Sequence, residues 1–220
     1  MNGPSTRNLN ALPDIATLLK LTQSLAALDA ILSPEWDFRY YSFDATWAPD
    51  SMMASMRNGS GDDFFIWFGK PGAAIKGFAH EAAMSPYRGG KKSGIFPGLV
   101  ESLPAEFGYM LTEPAFVSED MTFLIWRGVL DHEWKTGPLE FPAGADVDGS
   151  EDLLRHLDGD PEKYQAFASE YFEFDVELAD IQKLFDQVPL TAALVESISS
   201  EATTLDEIRE DIVEIGYPLG

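Results

Sequence analysis

A histidine beside a carboxylate, with cations on the neighbouring turns, is the combination that general acid–base chemistry and anion binding draw on. This chain holds one such group between residues 57 and 92. Arg57 and Asp62 flank the turn Asn58-Gly59-Ser60-Gly61, His80-Glu81 follows a predicted strand, and Arg88, Lys91 and Lys92 sit on the next loop. His80 would serve as a general base with Asp62 or Glu81 orienting it, and Arg57, Arg88, Lys91 and Lys92 would hold an anionic ligand. Strand geometry sets a limit on this, because neighbours on a strand point to opposite faces and His80 need not share a substrate with Glu81. The stretch 57–100 is also the net-positive part of the chain, with 6 basic and 3 acidic residues and 9 of the 18 glycines. That composition suits anion-binding loops and ordinary tight turns alike.

Several motifs are approached and missed. Gly89-Gly90-Lys91-Lys92-Ser93 resembles a phosphate-binding loop, yet Lys92 stands where Ser or Thr must follow the Gly-Lys pair and Ser85 stands where the first glycine belongs. Gly59-x-Gly61 lacks the third glycine of a dinucleotide fingerprint. His80-Glu81 and His132-Glu133 each open a zinc-protease motif, but Met84 and Thr136 occupy the positions of the second histidine. Asp146, Asp148, Glu151 and Asp152 crowd around Gly149 without the spacing of a calcium loop, and Asp148 or Ser150 is expected to cap the helix that follows. There is no Gly-x-Ser-x-Gly and no cysteine, which removes the serine elbow, the thiol nucleophile, thiolate metal sites and disulfides. No metal and no cofactor is expected. Of the five tryptophans, Trp67 and Trp126 read as core, while Trp47 and Trp134, in polar surroundings, read as interface candidates.

The elements that must position these residues follow from hydrophobic period. Leu18, Leu21, Leu25, Leu28 and Leu32 recur at helical spacing and predict a first amphipathic helix ended by Ser33-Pro34. Trp36–Phe43 and Phe64–Phe68 predict antiparallel strands around the Gly-rich turn, 73–79 another strand, 121–127 with 132–135 a later hairpin, and 97–111 a helix between them. After Gly149 the pattern turns helical. Asp160-Pro161 marks an N-terminus, Ile181, Leu184, Phe185 and Val188 form a stripe, and Thr204 with Glu207 forms a capping box before Ile208, Ile212 and Ile215. The order helix, meander, helices predicts an α+β fold: an N-terminal helix, an antiparallel meandering sheet and C-terminal helices packed on it. A single domain of 1–220 is expected, with a sheet-rich half at about 34–139 and an acidic helical half at about 140–220.

Charge is distributed unevenly. The chain carries 37 acidic and 15 basic residues for a net −22, and residues 140–220 alone carry 21 acidic against 4 basic. Nucleic acid and anionic membranes are therefore expected to be repelled and a basic protein attracted. Residues 1–10 hold one arginine and no apolar run, and no stretch reads as a membrane span, so a cytoplasmic chain is expected.

The runs Met53-Ala54-Ser55-Met56-Arg57-Asn58-Gly59-Ser60-Gly61-Asp62, Ile75-Lys76-Gly77-Phe78-Ala79-His80-Glu81 and Met84-Ser85-Pro86-Tyr87 resemble a family of uncharacterised bacterial proteins. Phe141-Pro142, Asp148-Gly149-Ser150 and Ile215-Gly216-Tyr217-Pro218 extend the resemblance over nearly the whole chain. It implies a bacterial cytoplasmic protein and transfers no catalytic residue. In architecture and acidity the chain is also similar to SUKH-type immunity proteins, small α+β modules that neutralise toxins by binding them. The leading expectation is thus a non-enzymatic interaction module, of immunity or regulatory type, that takes a basic partner. The alternative is a small-ligand binder or hydrolase-like enzyme with its site around the 57–92 loops.

Overall fold

Leucines three and four residues apart begin the first helix, α1, Ile15–Leu32, but the apolar stripe does not stay one-sided: 13 of its 18 residues are buried, and from Leu21 onward every one is. The amphipathic helix expected from the sequence is a central one. It is long and apolar enough to cross a membrane by length and composition, contrary to the expectation that no stretch would be, and 72% of it is buried inside the protein. The computed structural model describes residues 3–199 and 202–220, so Met1, Asn2, Ser200 and the acidic Glu201 lie outside the described residues.

Six antiparallel strands follow: β1 Tyr41–Ala48, β2 Ser51–Arg57, β3 Asp63–Gly69, β4 Gly72–Phe78, β5 Phe123–Gly128 and β6 Lys135–Thr136. They form one sheet in chain order, each strand hydrogen-bonded to the next. The remaining helices are α2 Tyr109–Thr112, α3 Ser150–Leu153, α4 Pro161–Tyr171, α5 Leu178–Phe185, α6 Ala192–Ile198 and α7 Arg209–Ile215. An N-terminal helix, a meander and C-terminal helices make the α+β class that the pattern predicts. Two boundaries move for identifiable reasons. The strand expected from Trp36 begins instead as a 3-10 helix, Trp36–Phe38, closed by the Arg39 N–H on the Trp36 carbonyl, and extended chain starts only at Tyr41. The helix expected over 97–111 breaks into a 3-10 turn at Ala105–Phe107 and the four residues of α2, because Gly98 and Ser102 adopt left-handed φ and Pro104 follows.

The chain divides into two compact units, each made of two stretches: a sheet unit of Met1–Ile15 and Ser55–Asp158, and a helical unit of Ala16–Ala54 and Gly159–Gly220. In the sheet unit every residue of β4 is buried. Close packing there requires glycine, since a Cβ on Gly77 would lie 2.0 Å from the Phe123 ring. Trp67, Phe107, Tyr109 and Phe116 form an aromatic cluster beside β3. Asp148 accepts the N–H of Ser150, the first residue of α3, as expected, and Asp146 shares the capping by accepting the Glu151 and Asp152 N–H groups. Asp148 and Ser150 also hold Thr6 of the N-terminal segment.

In the helical unit the polar residues buried on α1 have assigned partners, as buried polar groups must. The Gln23 amide donates to the carbonyls of Ile215 and Gly216, the Ser24 hydroxyl to that of Leu184, and Asp29 accepts from Tyr40 N–H, Tyr41 N–H and the Tyr164 hydroxyl. Asp160 caps α4 as its sequence predicts. The Thr204–Glu207 box also closes, but it caps a turn and α7 begins later, at Arg209.

Candidate functional site

The register of β3 on β4 places Asp63 opposite Phe78, so the residue before β3 and the residues after β4 meet at one end of the sheet. That pairing brings Asp62 to His80. Asp62 Oδ1 accepts the His80 backbone N–H at 2.8 Å and lies 2.6 Å from Nδ1, while the Asn58 amide donates to Oδ2 at 2.9 Å. Burial opposes ionisation of Asp62, yet these hydrogen bonds outweigh it and hold the carboxyl below its usual range. In return the hydrogen bond to Asp62 raises the His80 imidazole. With Nδ1 engaged on Asp62, Nε2 is the nitrogen left to accept a proton. It points towards Glu81, 3.9 Å away, whose side chain is 89% exposed.

Next to this pair lies a second one that the sequence reading missed. Phe65 stands opposite Lys76 in the register and Asp63 is two residues before it on the same face. The Lys76 ammonium, fully buried, binds Asp63 at 2.9 Å and lies 5.5 and 5.7 Å from the Phe65 and Phe78 ring centroids. Burial lowers the Lys76 ammonium and raises the Asp63 carboxyl, and their mutual attraction offsets part of both shifts. The legible signal was a lysine inside an otherwise apolar strand, Ala73-Ala74-Ile75-Lys76, which demands a counter-ion. Beyond it, Asp120 takes both Lys92 at 2.9 Å and the Tyr87 hydroxyl at 3.0 Å. Its hydrogen bond keeps the Lys92 ammonium above its usual value.

The proposed cations do not share one task. Lys92 joins the cluster through Asp120, but Arg88 is turned onto its own loop, donating to the Ser85 and Gly94 carbonyls and lying over the Phe96 ring. Lys91 projects from the exposed end of that loop, and Arg57 closes β2, half-buried. Trp47 is half-buried on β1. Trp134 is 4% exposed and donates its indole N–H to the Pro13 carbonyl, so it packs inside the sheet unit and presents little to a partner. Trp67 and Trp126 are core residues, as their strands predict. A cavity of about 280 Å³ in the same unit is lined by Phe96, Pro97, Gly98, Glu101, Pro138 and Glu140, and none of the candidate side chains reaches it. The His80–Asp62 pair faces solvent outside that cavity, with the His80 side chain 41% exposed.

The helical unit presents a different surface. It holds 20 acidic residues and 5 basic ones, a net −15. Glu35, Asp37, Glu207, Glu210 and Glu214 are among its exposed carboxylates. In their midst stand two aromatic side chains that the sequence reading assigned to a strand, Trp36 at 52% and Phe38 at 64% exposed. Their signal was the alternation Glu35-Trp36-Asp37-Phe38, which puts charge and ring side by side.

Comparison with protein-family models, with curated proteins and with solved structures gave no match.

Proposed function

We propose that the chain is a non-enzymatic interaction module, of the immunity or regulatory kind in a bacterial cytoplasm, that binds a basic protein through the acidic surface of its helical unit. The carrying observation is the surplus of charge in the sequence of that unit, 20 acidic residues against 5 basic ones, with Glu35, Asp37, Glu207, Glu210 and Glu214 exposed. Such a surface accelerates encounter with a basic partner and loses that advantage as salt screens it. The engagement of Arg88 with its own loop carbonyls and of Lys92 with Asp120 supports the same reading against an anion site.

The test is capture by the tagged chain at low and high salt, repeated with Glu207, Glu210 and Glu214 changed together to Gln. A stoichiometric basic protein, lost at high salt and lost with the triple variant, is the expected result. Salt-resistant capture, or capture indifferent to the three carboxylates, would count against it.

One observation favours a second reading. His80, Asp62, Glu81, Asp120 and Lys92 do gather at one end of the sheet unit, and Nε2 of His80 is open to a ligand. A small-ligand or hydrolase-like role there predicts an activity that His80→Ala abolishes and whose pH profile follows the raised imidazole. An activity indifferent to His80→Ala removes it.

A further inference from the structure

Large aromatic side chains in water need a reason when the backbone beneath them is rigid, because a fixed ring keeps its apolar surface exposed instead of folding it away. Trp36 and Phe38 are in that position. Their 3-10 helix is clamped on both flanks. Arg39, itself buried, donates from Nε to the Ser33 carbonyl at 2.9 Å and from Nη2 to the Pro34 carbonyl at 2.6 Å and to Asp211 of α7 at 2.7 Å. Immediately after it, Asp29 takes the Tyr40 and Tyr41 N–H groups. The backbone of the segment is thus preorganised, and binding need not order it further.

Its surroundings select the partner. Glu35 and Asp37 are exposed on either side of Trp36, and the Arg39–Asp211 bond brings the start of α7 alongside, with Glu210, Val213 and Glu214 exposed on it. Burial, then repulsion from Asp44 and Asp211, raises the Glu214 carboxyl, a crowding that an arriving cation would relieve. A second copy of the chain, at net −22, and an anionic lipid surface are both repelled.

We propose that Trp36 and Phe38 are the anchors of the acidic surface and stack arginine side chains of a basic partner segment on their rings, with Glu35 and Asp37 as counter-ions. This rests on the reading of the helical unit as the surface for a basic protein, and it names the residues and the side chain recognised. Arginine fits better than lysine, because a planar guanidinium stacks on a ring while pairing with a carboxylate.

The experiment titrates the full chain with a synthetic peptide of alternating Arg and Gly and with its Lys counterpart, at low salt, by calorimetry and by NMR. The Arg peptide is expected to bind several-fold more tightly than the Lys peptide and to move the Trp36 indole signal. Trp36→Ala with Phe38→Ala should cost about tenfold in affinity without changing the unfolding transition. Glu35→Gln with Asp37→Asn, which keeps both rings, should weaken binding less and flatten its salt dependence. Unchanged affinity in the aromatic double variant overturns the anchor assignment and leaves the acidic-surface reading standing. Failure of both peptides to bind the unaltered chain overturns both readings. Concentration-dependent self-association that the double variant abolishes assigns the rings to a second copy and overturns the proposal.

Discussion

Among the described acidic and basic side chains, the most deeply buried one in the sheet unit is a cation with an ion partner, Lys76 against Asp63; in the helical unit it is a carboxyl, Asp29, held by Tyr40 N–H, Tyr41 N–H and the Tyr164 hydroxyl. The surfaces differ in the same sense. Cations of the sheet unit find neighbouring carboxylates, as in Lys92–Asp120, Lys135–Asp131 and Arg155–Asp152, and its 10 basic and 17 acidic residues leave a net −7. The helical unit, at −15, cannot balance itself. Cations pair with carboxylates in both units, as Lys183–Asp180 and Arg209–Asp206 do in the second, so the contrast lies in the negative surplus that remains, −7 against −15.

The sharpest way to break that contrast is through Asp29 and Lys76. Asp29→Ala leaves two backbone N–H groups and a hydroxyl without an acceptor, and should destabilise by about 4 kcal/mol in urea unfolding, with a smaller loss for Asp29→Asn. Lys76→Ala should cost somewhat less, about 3 kcal/mol, because its partner Asp63 is partly exposed and can be rehydrated. Equal and small losses at both sites would deny that either unit depends on its buried charge.

A pH series sharpens it further. Burial pushes the Asp29 carboxyl up to about 7 against the hydrogen bonds that favour its ionised form. The folded chain therefore holds that proton at pH values where the unfolded chain has lost it. Its contribution is full below about pH 4 and is lost as pH rises through about 7, a change on the order of 4 kcal/mol at most. The difference in stability between the natural chain and Asp29→Asn should shrink across that window; a difference flat from pH 4 to 8 would show that Asp29 titrates normally.

The smallest effect belongs to the exposed pair. His80→Ala should alter stability by under about 1 kcal/mol, as exposed pairs do. Asp62→Asn should bring the His80 imidazole down towards its usual value in an NMR titration. An imidazole unmoved by that change would separate the two residues.

Elements with a strong period were legible in the sequence: α1 from its leucines, β3 and β5 from their aromatic runs, α4 from Asp160-Pro161. What the sequence left hidden depends on contacts between distant stretches. β2, rich in methionine, has no strand signature of its own and forms because β1 and β3 flank it in the sheet. The 3-10 helix under Trp36 and Phe38 is set by Asp29 and Asp211, residues on α1 and α7. At the candidate sites the meeting of His80 and Asp62 was readable, since a hairpin returns β4 past β3. Lys76 and Asp63 are diagonal neighbours in that same register, opposite Phe65 and Phe78, and went unread because neither was considered against the other strand.

The most direct test of the division of labour is to map a basic, arginine-rich peptide on the isotopically labelled chain by NMR at two salt concentrations. Shifts confined to 16–54 and 159–220, led by the Trp36 indole and fading at high salt, are the predicted result. Shifts centred on His80 and the loop of Lys91 and Lys92, or shifts indifferent to salt, would contradict it.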